Sequence, residues 1–152
     1  MRTLGLDVGT KTIGVAVSDA LDLTAQTVTT VRRTQLKADL AALRELVRAH
    51  EAERFVVGLP LNMDGSEGPR AEATRKFVEA LTQALGLPVE LWDERLSTVA
   101  AQRTLLEADL SRAKRREVID QLAAQFILQG WLDSRGAALG RDAHADDYDP
   151  ET

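Results

Sequence analysis

The chain has 152 residues, 44% hydrophobic and 28% charged, with no cysteine and a net charge of −5. That length suits one domain with a sizeable core, and the missing cysteines exclude a disulfide framework, a thiolate metal site and a cysteine nucleophile. No apolar run reaches membrane-spanning length and the first residues run straight into a strand-like segment, so a cytoplasmic protein with no membrane partner is expected. The acidity is uneven. Residues 1–135 hold 18 basic and 19 acidic side chains, whereas the last seventeen hold one basic and five acidic. The body is therefore near neutral, and charge alone does not exclude a nucleic-acid partner.

In chain order, Thr3 to Asp7 and Ile13 to Ser18 are β-rich runs joined by Val8-Gly9-Thr10-Lys11-Thr12, a strand–turn–strand pattern. Gly9 is free to take a positive φ there, and the Thr10 and Thr12 hydroxyls can bond the turn backbone. Ala25 to Arg32 reads as a third strand, and the short connections favour antiparallel neighbours. Gln35 to Glu51 carries Leu36, Leu40, Leu43 and Val47 at helical spacing. Arg54 to Leu59 is a buried-strand pattern ending at Pro60, followed by the turn-rich loop LNMDGSEGP. Arg70 to Leu85 is a second amphipathic helix, with Pro69 suited to its first turn and Gly86 ending it. Val89 to Trp92 makes a fifth strand. Ser97 to Ala108 and Arg112 to Ser134 read as helices, and residues 136–152 as an acidic, disordered tail following a 1–135 domain. Crossovers long enough for helices imply that the fourth and fifth strands run parallel to the first.

Asp7 is the unusual residue. It lies in or at the end of an apolar strand, where an ionised carboxylate needs a charged or metal partner to offset desolvation. Asp93 and Glu94 close the fifth strand, and only one of two neighbouring strand residues can point into a given face. At ~100° per residue, Asp120 flanks the apolar stripe of its helix, beside Ala123 and Ile127. Acidic groups that converge repel unless a cation lies between them, so three of them suit a hard ion such as Mg²⁺ or Mn²⁺. Two such ions ~3.5–4 Å apart activate water and stabilise the leaving oxygen of a phosphodiester. His50 and His144 read as surface residues, and Asp19 as a loop cap.

The runs GLDVGTKTIGVAVSD, GLPLNMDGSEGPRA, DERLST and IDQLAAQFILQGWLD together resemble the four blocks of the bacterial YqgF/RuvX family. Holliday-junction resolution and maturation of the small-subunit ribosomal RNA precursor are both ascribed to that family. The resemblance implies an RNase H-like α/β fold: a five-stranded mixed sheet, three strands antiparallel and two parallel, flanked by helices. It also implies that Asp7, Glu94 and Asp120 match the family's acidic catalytic and metal-binding positions, and family position favours Glu94 over Asp93. Lys11 and Arg95 adjoin these acids and are candidates for phosphate contact. Asn62, Gly65, Gly68 and Arg70, in the loop leading to a helix N-terminus, are candidates for the substrate backbone. The run Arg112, Lys114, Arg115 and Arg116 enters the helix of Asp120 and is placed to follow a nucleic-acid backbone.

The leading expectation is a metal-dependent endonuclease acting on structured nucleic acid. A non-catalytic RNA- or ribosome-binding factor is the second reading. A nucleotide-binding protein is the third, because the Asp-x-Gly-Thr hairpin also resembles the phosphate-binding hairpin of the actin and sugar-kinase superfamily, whose members need two such domains. Junction-resolving relatives with this fold often carry a fourth carboxylate one helical turn after the third; here Ala123 and Ala124 stand in those places, and Asp133 is the next acid. Paired cuts in a junction require a two-fold homodimer, whereas RNA end processing needs only a monomer.

Overall fold

A computed structural model describes residues 2–96 and 112–147, with side chains of the last helix described over 118–136. Five strands, β1 (Arg2–Val8), β2 (Thr12–Ser18), β3 (Ala25–Arg32), β4 (Ala52–Leu59) and β5 (Val89–Asp93), form one sheet in the order β3-β2-β1-β4-β5. The β1–β2 and β2–β3 pairs are antiparallel, and β1–β4 and β4–β5 are parallel. This is the expected mixed sheet. Helix α1 (Leu36–His50) links β3 to β4 and α2 (Pro69–Leu85) links β4 to β5. A short 3₁₀ turn, Glu94–Leu96, follows β5, and a long helix, here α3, spans Arg112–Asp147. The helix expected over Ser97 to Ala108 lies outside the described residues.

Strand alternation sorts the core into two layers. On one face Leu4, Leu6, Ile13, Val15, Phe55 and Val57 pack with Leu43 of α1 and Phe77 and Leu81 of α2. On the other, Ala16, Ala25 and Val56 meet Ala123, Ala124, Ile127, Leu128, Trp131 and Leu132 of α3. The α3 face is built from small sheet residues, so this helix lies close on the backbone. A Cβ on Gly5 would stand 2.7 Å from the Leu128 Cβ and 3.1 Å from the Ala124 carbonyl oxygen. A strand glycine commonly marks such an approach.

Some local expectations change. Leu36, counted in the α1 stripe, is exposed, while Asp39 is buried. The Asp39 carboxylate accepts from Thr34 N at 3.1 Å and from Arg33 Nε at 3.3 Å, so it ties the chain entering α1 to the first turn of the helix and holds an ion pair. Gly9 does not adopt a positive φ. Its place is tight instead: its N–H donates to the Thr12 carbonyl at 2.9 Å, and a Cβ would lie 3.0 Å from that oxygen. Helix α3 runs on to Asp147, past the Ser134 end that the apolar stripe suggests, so residue 136, taken as the start of a disordered tail, falls inside a helix. Ala137, Ala138, Ala143 and Ala145 have high intrinsic helix propensity, which sustains a helix where no stripe demands one. No helix among the described residues is long and apolar enough to cross a membrane.

Candidate active site

Asp7 lies on the α3 face of the central strand, 5% exposed. Its antiparallel partner on β2 is Gly14, and on the other side Leu6 is level with Val57, one residue short of Asp7 and Gly58 respectively. Glycines thus flank the carboxylate on both neighbouring strands. Over Gly14 sits the backbone of Asp120, so close that a Cβ there would be 1.9 Å from the Asp120 carbonyl oxygen. Over Gly58 sits the Glu94 side chain, with Oε1 at 2.7 Å from the position of a Cβ and the Ile127 Cδ1 at 2.5 Å. Strands are ~4.8 Å apart, so the three carboxylate-bearing residues span about 10 Å on one face. The two glycines create the room.

Each acid is held differently. The Thr12 hydroxyl donates to Asp120 Oδ2, which ties α3 to the start of β2. The threonine expected to bond its own turn instead orients the helix carboxylate. Asp7 and Glu94 are each engaged with a further group. Asp93 and Glu94 take different sides. Trp92 packs into the α3 layer, Asp93 pairs with Leu59 and points away from it, and Glu94 returns to the α3 side over Gly58.

Asp93 has another task. Its carboxylate takes Arg95 Nε at 3.1 Å, Arg95 Nη2 at 2.7 Å and the Arg95 backbone N–H at 2.9 Å. Hydrogen bonding from this guanidinium holds the Asp93 carboxyl below its ordinary pKa and raises that of Arg95. Arg95 also donates to the Met63 carbonyl at 3.4 Å and lies 3.3 Å from a Cβ position on Gly65. Arg95, a candidate for phosphate contact, is therefore committed to Asp93 and to the loop after β4. That loop is a built structure. Leu61 bridges Glu67, Asn62 Nδ2 donates to Ser66 Oγ at 2.9 Å, Ser66 is capped by Asp64 at 2.9 Å, and Gly65 has φ +88°. Asn62, another candidate for the substrate, closes the loop with its side chain.

Lys11 is exposed at the β1–β2 turn and Arg70 is exposed in the first turn of α2, both at the end of the sheet that carries the acids. Arg112, Lys114, Arg115 and Arg116 lie in the first turns of α3, with side chains outside the described residues. Ala123 and Ala124, where a fourth acid would stand, are buried against the sheet. Asp133 is exposed and accepts from Gln129 at 2.9 Å. At 1.5 Å per residue it lies about 20 Å along the helix from Asp120, remote from the cluster. Asp19 caps the β2–β3 loop by accepting from Leu23 N at 2.7 Å, and that bond lowers its pKa.

Three carboxylates and no thiol or imidazole form a hard-oxygen donor set, which suits Mg²⁺ or Mn²⁺ rather than a softer ion. As they stand, three or more such groups do not close on a common point among the described residues. Ionised carboxylates repel one another, and Asp120 is turned toward Thr12. The donors fit a divalent ion in kind.

Gly14 and Gly58 were not singled out from the sequence, and Thr12 only as a turn residue, although glycines inside TIGVAVS and RFVVGL carried a signal of close approach.

Comparison with known proteins bears on the fold and the family. Thermus thermophilus RuvC bound to a Holliday junction superposes with TM-score 0.57 at 16% identity, covering 90% of this chain and 96% of that one. A second structure of Thermus thermophilus RuvC gives 0.53 at 14% identity, covering 90% and 97%. These likenesses establish the RNase H-like fold. Among sequence relatives, a Myxococcus xanthus protein is 73% identical over 151 residues, 99% of each chain, and a Moorella thermoacetica protein is 65% identical over 136 residues, 90% of this chain and 97% of the other. Both carry the provisional name of pre-16S rRNA nuclease. The model described as RuvX, Holliday junction resolvase, matches residues 1–134, which contain all three acids, so the chain belongs to the RuvX family.

Proposed function

We propose that this protein is a divalent-metal-dependent endonuclease that hydrolyses phosphodiester bonds in structured nucleic acid, with Asp7, Glu94 and Asp120 as its catalytic carboxylates. The observation that supports the reading is that, on the face of Asp7, the Asp120 backbone lies over Gly14 and the Glu94 side chain over Gly58, on the two strands beside β1. Mg²⁺ or Mn²⁺ held by these carboxylates would activate water and stabilise the leaving oxygen. Asp7 is carried by the central strand and is buried. Thr12 orients Asp120, and the Asp93–Arg95 pair keeps the loop after β4 beside Glu94. Lys11, Arg70 and the basic run from Arg112 to Arg116 serve the phosphate backbone in this reading. If so, neutralising two residues of that run lowers the slope of log K against log[salt] by about 0.9 for each duplex phosphate no longer neutralised; an unchanged slope removes the run from the interface.

The ribosomal RNA precursor is the favoured substrate, on the strength of the relatives at 73% and 65% identity and of the buried alanines in place of a fourth acid. The test sets the purified protein, with Mg²⁺ or Mn²⁺, against a small-subunit rRNA precursor and a synthetic four-way junction side by side. Cleavage of the precursor by wild type and its loss in Asp7→Asn, with unchanged circular dichroism, is the expected result. An Asp7→Asn protein as active as wild type would instead favour a binding factor that merely keeps the fold. Faster cutting of the junction reverses the substrate assignment.

A further inference from the structure

On the face of β1 opposite Asp7, under the β1–β2 turn, lies a cleft of about 50 Å³. Val8 and Ala73 form its walls, and its polar lining comes from Gly9, Thr10, Arg33 and Arg70. A single water needs roughly 10–15 Å³ by the same kind of measure, so the space suits a group with several oxygens. Thr74, also at the cleft, directs its hydroxyl to the Arg70 carbonyl at 2.9 Å and offers no acceptor-seeking proton.

The two arginines differ in a telling way. Arg33 is fixed: Nη1 donates to the Gly9 carbonyl at 2.7 Å, Nε faces Asp39 at 3.3 Å, and the guanidinium lies 5.2 Å from the centroid of the Phe77 ring. One carboxylate therefore offsets Arg33. Arg70 has no ion pair among the described residues, and Glu72, two positions on, faces another side of the helix. Two arginines thus line one small cleft, and the one carboxylate paired with either of them, Asp39, is not among its lining residues; that leaves a surplus of positive charge with planar donors suited to a tetrahedral oxyanion.

We infer that this cleft is a phosphate subsite for a phosphodiester neighbouring the one that is cut. Val8 follows Asp7 and points to the other face, so cleft and carboxylates stand back to back at the C-terminal end of β1, separated by the exposed rim of Thr10 and Lys11. A strand crossing that rim engages both. Arg33 presents a fixed donor and Arg70 closes over the ligand. This assignment rests on the nuclease reading for its biological meaning, but phosphate binding can be measured without it.

The full chain, labelled with ¹⁵N, is titrated with inorganic phosphate while the Gly9 and Thr10 amides and the arginine Nε–H signals are followed. Saturable shifts at Gly9, Thr10 and Arg33, weakened at least fivefold in Arg70→Ala and restored in part by Arg70→Lys, are expected. Absence of saturable shifts, or shifts that Arg70→Ala leaves untouched, overturns the subsite. Arg70 is exposed, so its replacement leaves the fold intact. In the cleavage assay Arg70→Ala raises KM more than it lowers kcat and reduces the salt slope of substrate binding by about 0.9, the value for one phosphate; an unchanged KM and slope also refute the assignment. A wild-type protein that binds phosphate here but cuts nothing would sink the nuclease reading and leave the anion site standing.

Discussion

Gly14 and Gly58 offer the sharpest separation of stability from activity, because a methyl group added at each meets a different kind of obstacle. In Gly14→Ala the new Cβ would lie 1.9 Å from the Asp120 carbonyl oxygen and 2.4 Å from its carbon, both backbone atoms of α3. Ordinary contact begins near 3.4 Å, so helix or strand must move by about 1.5 Å. Overpacking costs typically ~1–3 kcal/mol, and a backbone obstacle puts this change at or above the upper end. The shift also strains the Thr12–Asp120 bond; hydrogen bonds to charged groups are worth ~1.5–3 kcal/mol. A loss of about 3 kcal/mol corresponds to a fall in Tm of roughly 6–12 °C for a domain of this size. In Gly58→Ala the obstacles are the Ile127 Cδ1 at 2.5 Å and the Glu94 Oε1 at 2.7 Å, both ends of flexible side chains. Rotamer changes relieve them at about 1 kcal/mol. Glu94, however, is displaced from over Gly58, so cleavage falls at least tenfold in a protein that stays folded. Urea unfolding followed by tryptophan fluorescence, with nuclease rates on the same preparations, measures both. Gly14→Ala within 0.5 kcal/mol of wild type would refute the close approach of α3 at Asp120, and full activity in Gly58→Ala would refute the role given to Glu94.

Thr12→Val keeps the shape of the side chain but removes its donor to Asp120. It should cost about 1–2 kcal/mol by urea unfolding and slow cleavage with little change in KM; unaltered kcat would count against a positioning role. The Asp93 carboxyl has its pKa depressed by Arg95, so the clamp contributes fully above the unfolded value near pH 4 and is lost as pH falls through the lower folded value. Hydrogen exchange of the 61–67 loop should accordingly be indifferent to pH between 5 and 7 once intrinsic rates are removed, and Asp93→Asn should raise it throughout; equal protection in that variant would show that the clamp does not hold the loop. Asp39→Ala strips the buried partner from Arg33 and Thr34 N and should destabilise by about 1–3 kcal/mol, with weaker phosphate binding in the cleft; a change below 0.5 kcal/mol would show the buried pair to be dispensable.

The order and direction of the strands were legible from periodicity and connection length, since short turns force antiparallel neighbours and helix-length crossovers permit parallel ones. Asp7 stood out because a carboxylate within an apolar strand is costly unless partnered. Two things were not legible. The pairing of Asp93 with Arg95 follows from the backbone turning into a 3₁₀ helix directly after β5, which alternation along a strand does not anticipate. The basic side chains were also harder to read than the acids, because a long charged side chain such as Arg95 goes wherever a nearby carboxylate and carbonyl lie, whereas a short acid follows its backbone.

Composition and patterning by themselves determined the class of sheet and the acids worth comparing, Asp7, Asp93 or Glu94, and Asp120, because these are local properties of period and polarity; the preference for Glu94 came from the family resemblance. Only the folded chain decided that segments carrying these acids come to one face of the sheet. That outcome rests on Gly14 and Gly58, which lack the side chains that would hold Asp120 and Glu94 away from Asp7, and contact between segments remote in sequence depends on how closely their backbones can approach.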